Sequence, residues 1–277
     1  MKRNKQYYVQ TWHGDVCLKK IEKDAEVSLD QNYVKTAIHD SKMADLMISG
    51  SKFRTQNYRT SFWYDGEILE KGTPKSDVFY KNPVPIINKV KNFYNIKDET
   101  KILLYAPTFR VDSNISCYDL NYNTLLDYLH NTWGGNWVII IRLHPKIQEK
   151  SKILEYDERI LNGTCYSSFD ELLIASDLMI TDYSGTMFHA IEAKKKVVLY
   201  ASDIDDYMND RGTYFQIRDL PFPLSRNQKE LYDILLNFDD AEYFQKIEKM
   251  KFKLGYFNNE NSSKVVAQEI IKRGEKK

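Results

Sequence analysis

The sequence reads as an α/β chain of parallel sheets with helices on both faces. Three observations predict this. Strand-like and helix-like segments alternate from residue 7 to residue 202. WVIII (137–141) is apolar at every position, as a strand covered on both faces requires. TDYSG (181–185) follows an apolar run and opens onto a helix-like segment, the strand–turn–helix step of a parallel unit.

In chain order, YYVQTW (7–12) predicts a strand running into a loop, and NYVKTAIHDSKMA (32–44) a modest helix carried by Val34 and Ile38. DLMISGS (45–51) predicts a strand ending in small residues, and FRTQNYRTSFW (53–63) a helix. EILEKGTPKSD (67–77) predicts a short strand and a turn punctuated by Pro74. A second unit begins near Lys101. KILLYAPTFR (101–110) starts as a buried strand and breaks at Pro107, and LNYNTLLDYLHNTW (120–133) is helical, with Leu125, Leu126, Leu129 and Trp133 on one side. WVIIIRLHP (137–145) reads as the strongest strand. SFDELLIASD (168–177) reads as a helix whose Ser168 caps it and whose Glu171 completes a capping box. LMITDYSG (178–185), GTMFHAIEAKK (185–195) and KVVLYAS (196–202) give strand, helix and strand, and the tail from about Ala241 to Lys272 is mostly helical.

The chain has 277 residues, 42% of them hydrophobic, enough for one large or two medium domains. Lys plus Arg number 40 against 39 Asp plus Glu, so no global field favours nucleic acid and any anion site must be local. Cys17, Cys117 and Cys165 lie far apart, which suits a reducing compartment better than a disulfide framework or a zinc site. No run approaches the ~20 apolar residues of a spanning helix. No apolar h-region follows MKRNKQYY, so no signal peptide is expected. Lys19, Lys20 and Lys23 read as a solvated face, and Asp203, Asp205 and Asp206 as a solvated acidic loop. No carboxylate set converges on one loop, so no bound metal is expected.

In parallel sheets ligands gather at the carboxyl ends of strands. Four loops follow candidate strands there: WHG (12–14), APTFR (106–110), RLHP (142–145) and TDYSG (181–185). His13, beside an uncrowding Gly14, could accept a proton from a hydroxyl near neutral pH, or simply pack in its loop. Pro145 keeps His144 extended, and strand alternation would point His144 and Arg142 the same way, an arrangement suited to a diphosphate. The other reading pairs Arg142 with a local carboxylate and makes His144 a strand cap. Thr181 and Ser184 offer hydroxyls, Gly185 a close backbone approach, and the following helix its free N–H groups, either for phosphate or as an ordinary capped turn.

Together, QTWHGDVCLKKI (10–21), GTPKSD (72–77), LYAPTFR (104–110), RLHP (142–145), SSFDELLIASDLMITDYSG (167–185) and RGTYF (211–215) resemble, in order, the CDP-glycerol glycerophosphotransferase family, the enzymes that prime and polymerise wall teichoic acids. The resemblance implies a GT-B-like architecture: two Rossmann-like parallel-sheet domains with the site in the cleft between them. Residues 1–95 would form the acceptor-side domain and 96–277 the donor-binding domain with its C-terminal helices. It implies transfer of glycerol phosphate from CDP-glycerol to a hydroxyl of a lipid-linked polyol-phosphate or saccharide acceptor, with release of CMP and no cofactor. By position, His13 resembles the general base and His144, with Arg142, the group that stabilises charge on the diphosphate. Thr181, Asp182, Ser184 and Gly185 fall at the donor-phosphate turn, Ser168 and Asp170 where the family meets the nucleotide, and Arg211 at a donor contact.

Two departures stand out. The family commonly reads DYSS where this chain has DYSG, and an acidic residue often stands where His189 does, changes that would suit CDP-ribitol. Only twelve residues precede His13, so the first domain is expected to lack its first strands. An exposed half-sheet would call for a homo-oligomer or a separate N-terminal partner chain. The alternatives are a non-catalytic nucleotide-binding remnant and a sugar-nucleotide glycosyltransferase. The resemblance places the chain in the cytoplasm, peripheral on the inner membrane face.

Overall fold

The computed structural model describes residues 2–3, 6–110, 116–118, 120–204 and 212–274. Its chain divides into two compact units. Met1–Lys81, Met208–Gln216 and Glu248–Lys277 make the first, and Asn82–Tyr207 and Ile217–Ile247 the second. The tail helices, expected in the second domain, are therefore shared. The boundary falls within the helix Asp240–Leu254, and everything beyond it packs with the first unit.

The first unit has three parallel strands in the order β1 (Val9–Gln10), β2 (Leu46–Ser49), β3 (Glu67–Glu70). Helix α1 (Gln31–Met43) joins the first two and α2 (Lys52–Thr60) the last two. Both helices start where a side chain takes up free amides. Asp30 accepts from Asn32 and Tyr33 N–H, and Ser51 accepts from Arg54 N–H at 3.0 Å. Strand alternation splits the core by face. Leu46, Ile48 and Leu69 pack on Val266 of the tail, and Met47 packs with Tyr58, Phe62 and Tyr64.

The second unit has six parallel strands: β4 (Lys101–Tyr105), β5 (Trp137–Ile141), β6 (Ile160–Asn162), β7 (Leu178–Thr181), β8 (Lys196–Tyr200) and β9 (Leu224–Ser225). Their spatial order is β6-β5-β4-β7-β8-β9. That is the 3-2-1-4-5-6 doubly wound order, whose topological switch point lies between β4 and β7. The all-apolar WVIII run is buried along its whole length, as predicted. Helices α3 (Val84–Tyr94), α4 (Tyr122–Trp133), α5 (Phe169–Ala175), α6 (Met187–Glu192) and α7 (Gln228–Leu236) accompany the sheet. The tail supplies α8 (Asp240–Leu254) and α9 (Ser262–Gly274).

Three local expectations change. β5 stops at Ile141: Arg142 N–H still reaches Tyr105 O of β4 at 2.8 Å, but Leu143 N–H turns to the Thr164 hydroxyl at 3.0 Å. Ser168 caps α5 by accepting from Glu171 N–H, but the box does not close: the Glu171 carboxylate turns to Lys89 and the Tyr166 hydroxyl instead. Helix α3 falls in a stretch to which no element is assigned from the sequence. Pro83 and Pro85 sit at its start, where a missing N–H removes nothing, and Asn95 closes it with a left-handed φ of 54°.

Candidate active site

At the β4/β7 switch point of the second unit lies a buried ionic network. Asp182 ends the loop step out of β7 and is fully buried. Its Oδ1 accepts from Thr108 N–H and Oγ1–H, both at 2.7 Å, and from its neighbour Tyr183 N–H at 2.6 Å. Its Oδ2 accepts from Arg110 Nη1 at 2.8 Å. Arg110 then reaches Asp203 through Nε at 2.6 Å and Nη2 at 3.1 Å, and Asp203 also accepts from the Tyr183 hydroxyl at 2.9 Å. The guanidinium lies 5.3 Å from the centre of the Tyr183 ring. Burial pushes Asp182 up from the ordinary carboxylate range, against the pull of Arg110 and Thr108. Burial draws Arg110 down, but its two carboxylates outweigh that and hold it above its ordinary range. Burial likewise pushes Asp203 up, and its bonds from Arg110 and Tyr183 outweigh that and hold it low. Asp203 is thus an ion-pair partner, not part of a solvated acidic loop. Asp205 and Asp206 lie outside the described residues.

This network fixes the two loops that flank the switch point. Thr181 adds a further tie, its buried hydroxyl donating to Ala106 O at 2.8 Å. The side chains of Thr181 and Asp182 therefore stand behind the turn and support it. At its surface stand Ser184 and Gly185, both partly exposed. Their amide N–H groups have no acceptor among the described residues, so the turn can offer a pair of N–H donors to an anion. The Ser184 hydroxyl pairs with that of Thr186 at 2.8 Å. Helix α6 behind them has six residues rather than the longer helix expected, and begins with i to i−3 bonds from Met187, Phe188 and His189.

His144 follows the end of β5. Its ring lies 4.5 Å from that of Phe109, and Nδ1 accepts from Lys146 N–H at 3.2 Å. An accepting Nδ1 assigns the ring proton of the neutral form to Nε2. Burial, and then the Lys146 charge, hold the His144 pKa below its ordinary value. The imidazole is therefore neutral at physiological pH and presents an Nε2–H donor. Lys146 Nζ sits 4.8 Å from the Phe109 ring centre and brings a cation to the same cluster. Arg142 does not share this direction. Past the end of the strand the pleat no longer holds, and its Nη1 donates to the carbonyls of Gly163 (2.8 Å) and Tyr166. It orders the 163–166 segment that precedes α5.

Ser168 and Asp170 sit at the start of α5. Asp170 Oδ1 meets His189 Nδ1 at 3.0 Å, with both side chains 14% exposed. His189 is thus matched to Asp170 and links α6 to α5. Arg211 lies outside the described residues.

In the first unit, His13 is exposed just beyond β1, its ring stacked on Trp12 at 4.6 Å. Trp12 holds a left-handed φ of 55° and packs edge-on against Phe62 at 4.9 Å. The loop is anchored by Asp15, which no motif marks out. Asp15 is 5% exposed and accepts from Gly50 N–H (2.8 Å), the Thr73 hydroxyl (2.5 Å) and Asn258 Nδ2 (2.8 Å). Those partners follow β2 and β3 or belong to the tail, so one carboxylate joins the loops at the carboxyl ends of all three strands. Gly50 has no tolerance for a side chain: a Cβ would fall on Asp15 Oδ2, Asn258 Oδ1 and Thr73 Oγ1. Among the described residues no cluster could hold a metal ion.

The profile of one family, described as CDP-Glycerol:Poly(glycerophosphate) glycerophosphotransferase, matches residues 1–272. The teichoic acid poly(glycerol phosphate) polymerase of Staphylococcus epidermidis is 30% identical over 285 residues, covering 98% of this chain but only 39% of that protein. The teichoic acid glycerol-phosphate transferase of Staphylococcus aureus is 31% identical over 279 residues, covering 96% and 71%. A solved structure of the wall teichoic acid polymerase TagF superposes with a TM-score of 0.86 at 28% identity, over 100% of this chain and 70% of that one. A TagF structure soaked with CDPG superposes with a TM-score of 0.84.

Proposed function

The chain belongs to the CDP-glycerol:poly(glycerophosphate) glycerophosphotransferase family, and on that premise we propose that it transfers glycerol phosphate from CDP-glycerol to a hydroxyl of a polyol-phosphate acceptor. The acceptor oxygen attacks the phosphorus next to glycerol. The bond from that phosphorus to CMP breaks, a phosphodiester forms, and the acceptor's proton leaves. His13 takes that proton in this reading. The charge that develops on departing CMP falls to donors that are already oriented.

The observation that best supports this is the state of His144. It is a neutral imidazole whose Nδ1 is occupied by Lys146 N–H, leaving Nε2–H to donate. It follows β5, beside the central strand of a doubly wound sheet, and Lys146 adds a positive charge. The Ser184 and Gly185 amides at the switch point are the second donor group in this reading. Arg142, Ser168, Thr181, Asp182 and the Asp170–His189 pair position these groups. Glycerol is the proposed polyol because both relatives described above carry glycerol-phosphate names. A lipid-linked acceptor and a peripheral place at the inner membrane face belong to the same proposal. No helix among the described residues is long and apolar enough to cross a membrane.

The test is CMP release from CDP-glycerol, with a lipid-linked glycerol-phosphate acceptor analogue, by the chain and by His13→Ala and His144→Ala. Each variant is expected to lose about 100-fold or more in kcat. Turnover that is unaffected by either change, or no turnover by folded protein, would refute the reading.

A further inference from the structure

Arg54, in the first turn of α2, is 1% exposed. A buried guanidinium stays charged and needs an anionic partner. Its Nη2 faces the sulfur of Cys17 at 3.9 Å, and its head lies 5.6 Å from the centre of the buried Tyr58 ring. Nε and Nη1 are buried without a hydrogen-bond partner among the described residues. Neither nitrogen is exposed to solvent. The group in contact that can supply the charge is the Cys17 thiol.

We propose that Cys17 is a thiolate held by Arg54, and that it is a modification site for soft electrophiles such as low-molecular-weight disulfides. Cys17 is only partly buried, so a reagent can reach it. Reactive cysteines occur in this kind of setting, partly exposed beside a fixed cation. Of the neighbouring ionisable groups, Tyr58 lies beside Arg54, and Asp15 and Tyr64 act on Tyr58 in turn. The Asp15 carboxylate is taken up by three donors, and the Tyr58 hydroxyl donates to Ile48 O, with burial pushing its pKa up. In the reaction the thiolate attacks one sulfur of the disulfide. A Cys17 mixed disulfide forms, the reagent's S–S bond breaks, and its other half leaves as a thiolate. Cys17 is four residues from His13 in one loop, so an adduct would load the loop that carries the proposed base.

Thiol chemistry tests this independently of the transferase reading. The full chain is alkylated with iodoacetamide from about pH 5 to 10, and each cysteine is quantified by peptide mass spectrometry. Cys17 should reach half its maximal rate at least about one pH unit below the ~8.5 of a free cysteine. Buried Cys117, whose thiol burial pushes up to about 12, serves as the unreactive reference. Arg54→Met should return Cys17 to the ordinary midpoint. Should that variant not fold, Arg54→Lys, which keeps the charge, should leave the midpoint low. Oxidised glutathione should add to Cys17 before Cys117. A wild-type midpoint at or above the ordinary value overturns the proposal. So do a low midpoint that survives Arg54→Met, an ordinary midpoint in folded Arg54→Lys, and failure of glutathione to add to Cys17.

Discussion

Replacing Asp182 with Asn probes the network at the switch point. The amide can keep the bonds from Thr108 and Tyr183 on its oxygen, but its NH2 then faces Arg110 Nη1, donor against donor. Breaking a buried ion pair from one side costs about 3–5 kcal/mol. Asp203 still holds Arg110 through two bonds, which sets the expectation at the lower end, about 3 kcal/mol. That corresponds to roughly a 150-fold shift in the local opening equilibrium. Asp203→Asn is the contrast. The Asp203 side chain is 34% exposed where that of Asp182 is 0%, so water replaces much of what is lost and about 1 kcal/mol is expected. Two units make a global melt ambiguous. Hydrogen exchange at the Ala106 amide, bonded across to Ile180 O, reports on the β4/β7 junction directly. Adding Arg110→Met to Asp182→Asn should restore about 1 kcal/mol, since the donor-against-donor contact at position 182 is then gone. Equal effects of Asp182→Asn and Asp203→Asn, or strict additivity with Arg110→Met, would refute the reasoning.

Three further outcomes are expected. The His144 ring should titrate below its ordinary value by NMR, and Lys146→Met should move the midpoint upward. Because the unfolded chain binds the proton more readily, this histidine's contribution to stability is present above pH ~6.5 and is lost as pH falls through the folded pKa. Gly50→Ala should destabilise the first unit by about 1–3 kcal/mol, read as faster exchange of the amides around Thr73, because its Cβ lands on the Asp15 cluster. Ser168→Ala should remove about 1 kcal/mol from α5 by freeing the Glu171 amide, and an unchanged exchange rate there would show that the cap contributes nothing.

Much of the architecture was legible in the sequence because periodicity and punctuation are local. WVIII announced a strand covered on both faces, and WHG, RLHP and TDYSG could each be placed after a strand from the residues beside them. β9, of two residues, carried too little pattern to read. The supports of the candidate site were illegible for a different reason. Arg110 stands 72 residues from Asp182 and 93 from Asp203, and Asp15 stands 243 from Asn258. No spacing rule links such partners. Asp203 sat in an acidic run that suggested solvent, and only the sheet order brings Arg110 to it.

The sequence by itself determined the alternation, the all-parallel sheets and the placing of His13 and His144 in loops after strands, since backbone preference and apolar pattern act over a few residues. Tertiary structure alone decided the β4/β7 switch point and the separate directions of Arg142 and His144. It also decided which turn residues are buried supports and that the Arg54 guanidinium is buried against a cysteine. Burial and long-range pairing set those outcomes, and both exist only once the chain has closed on itself.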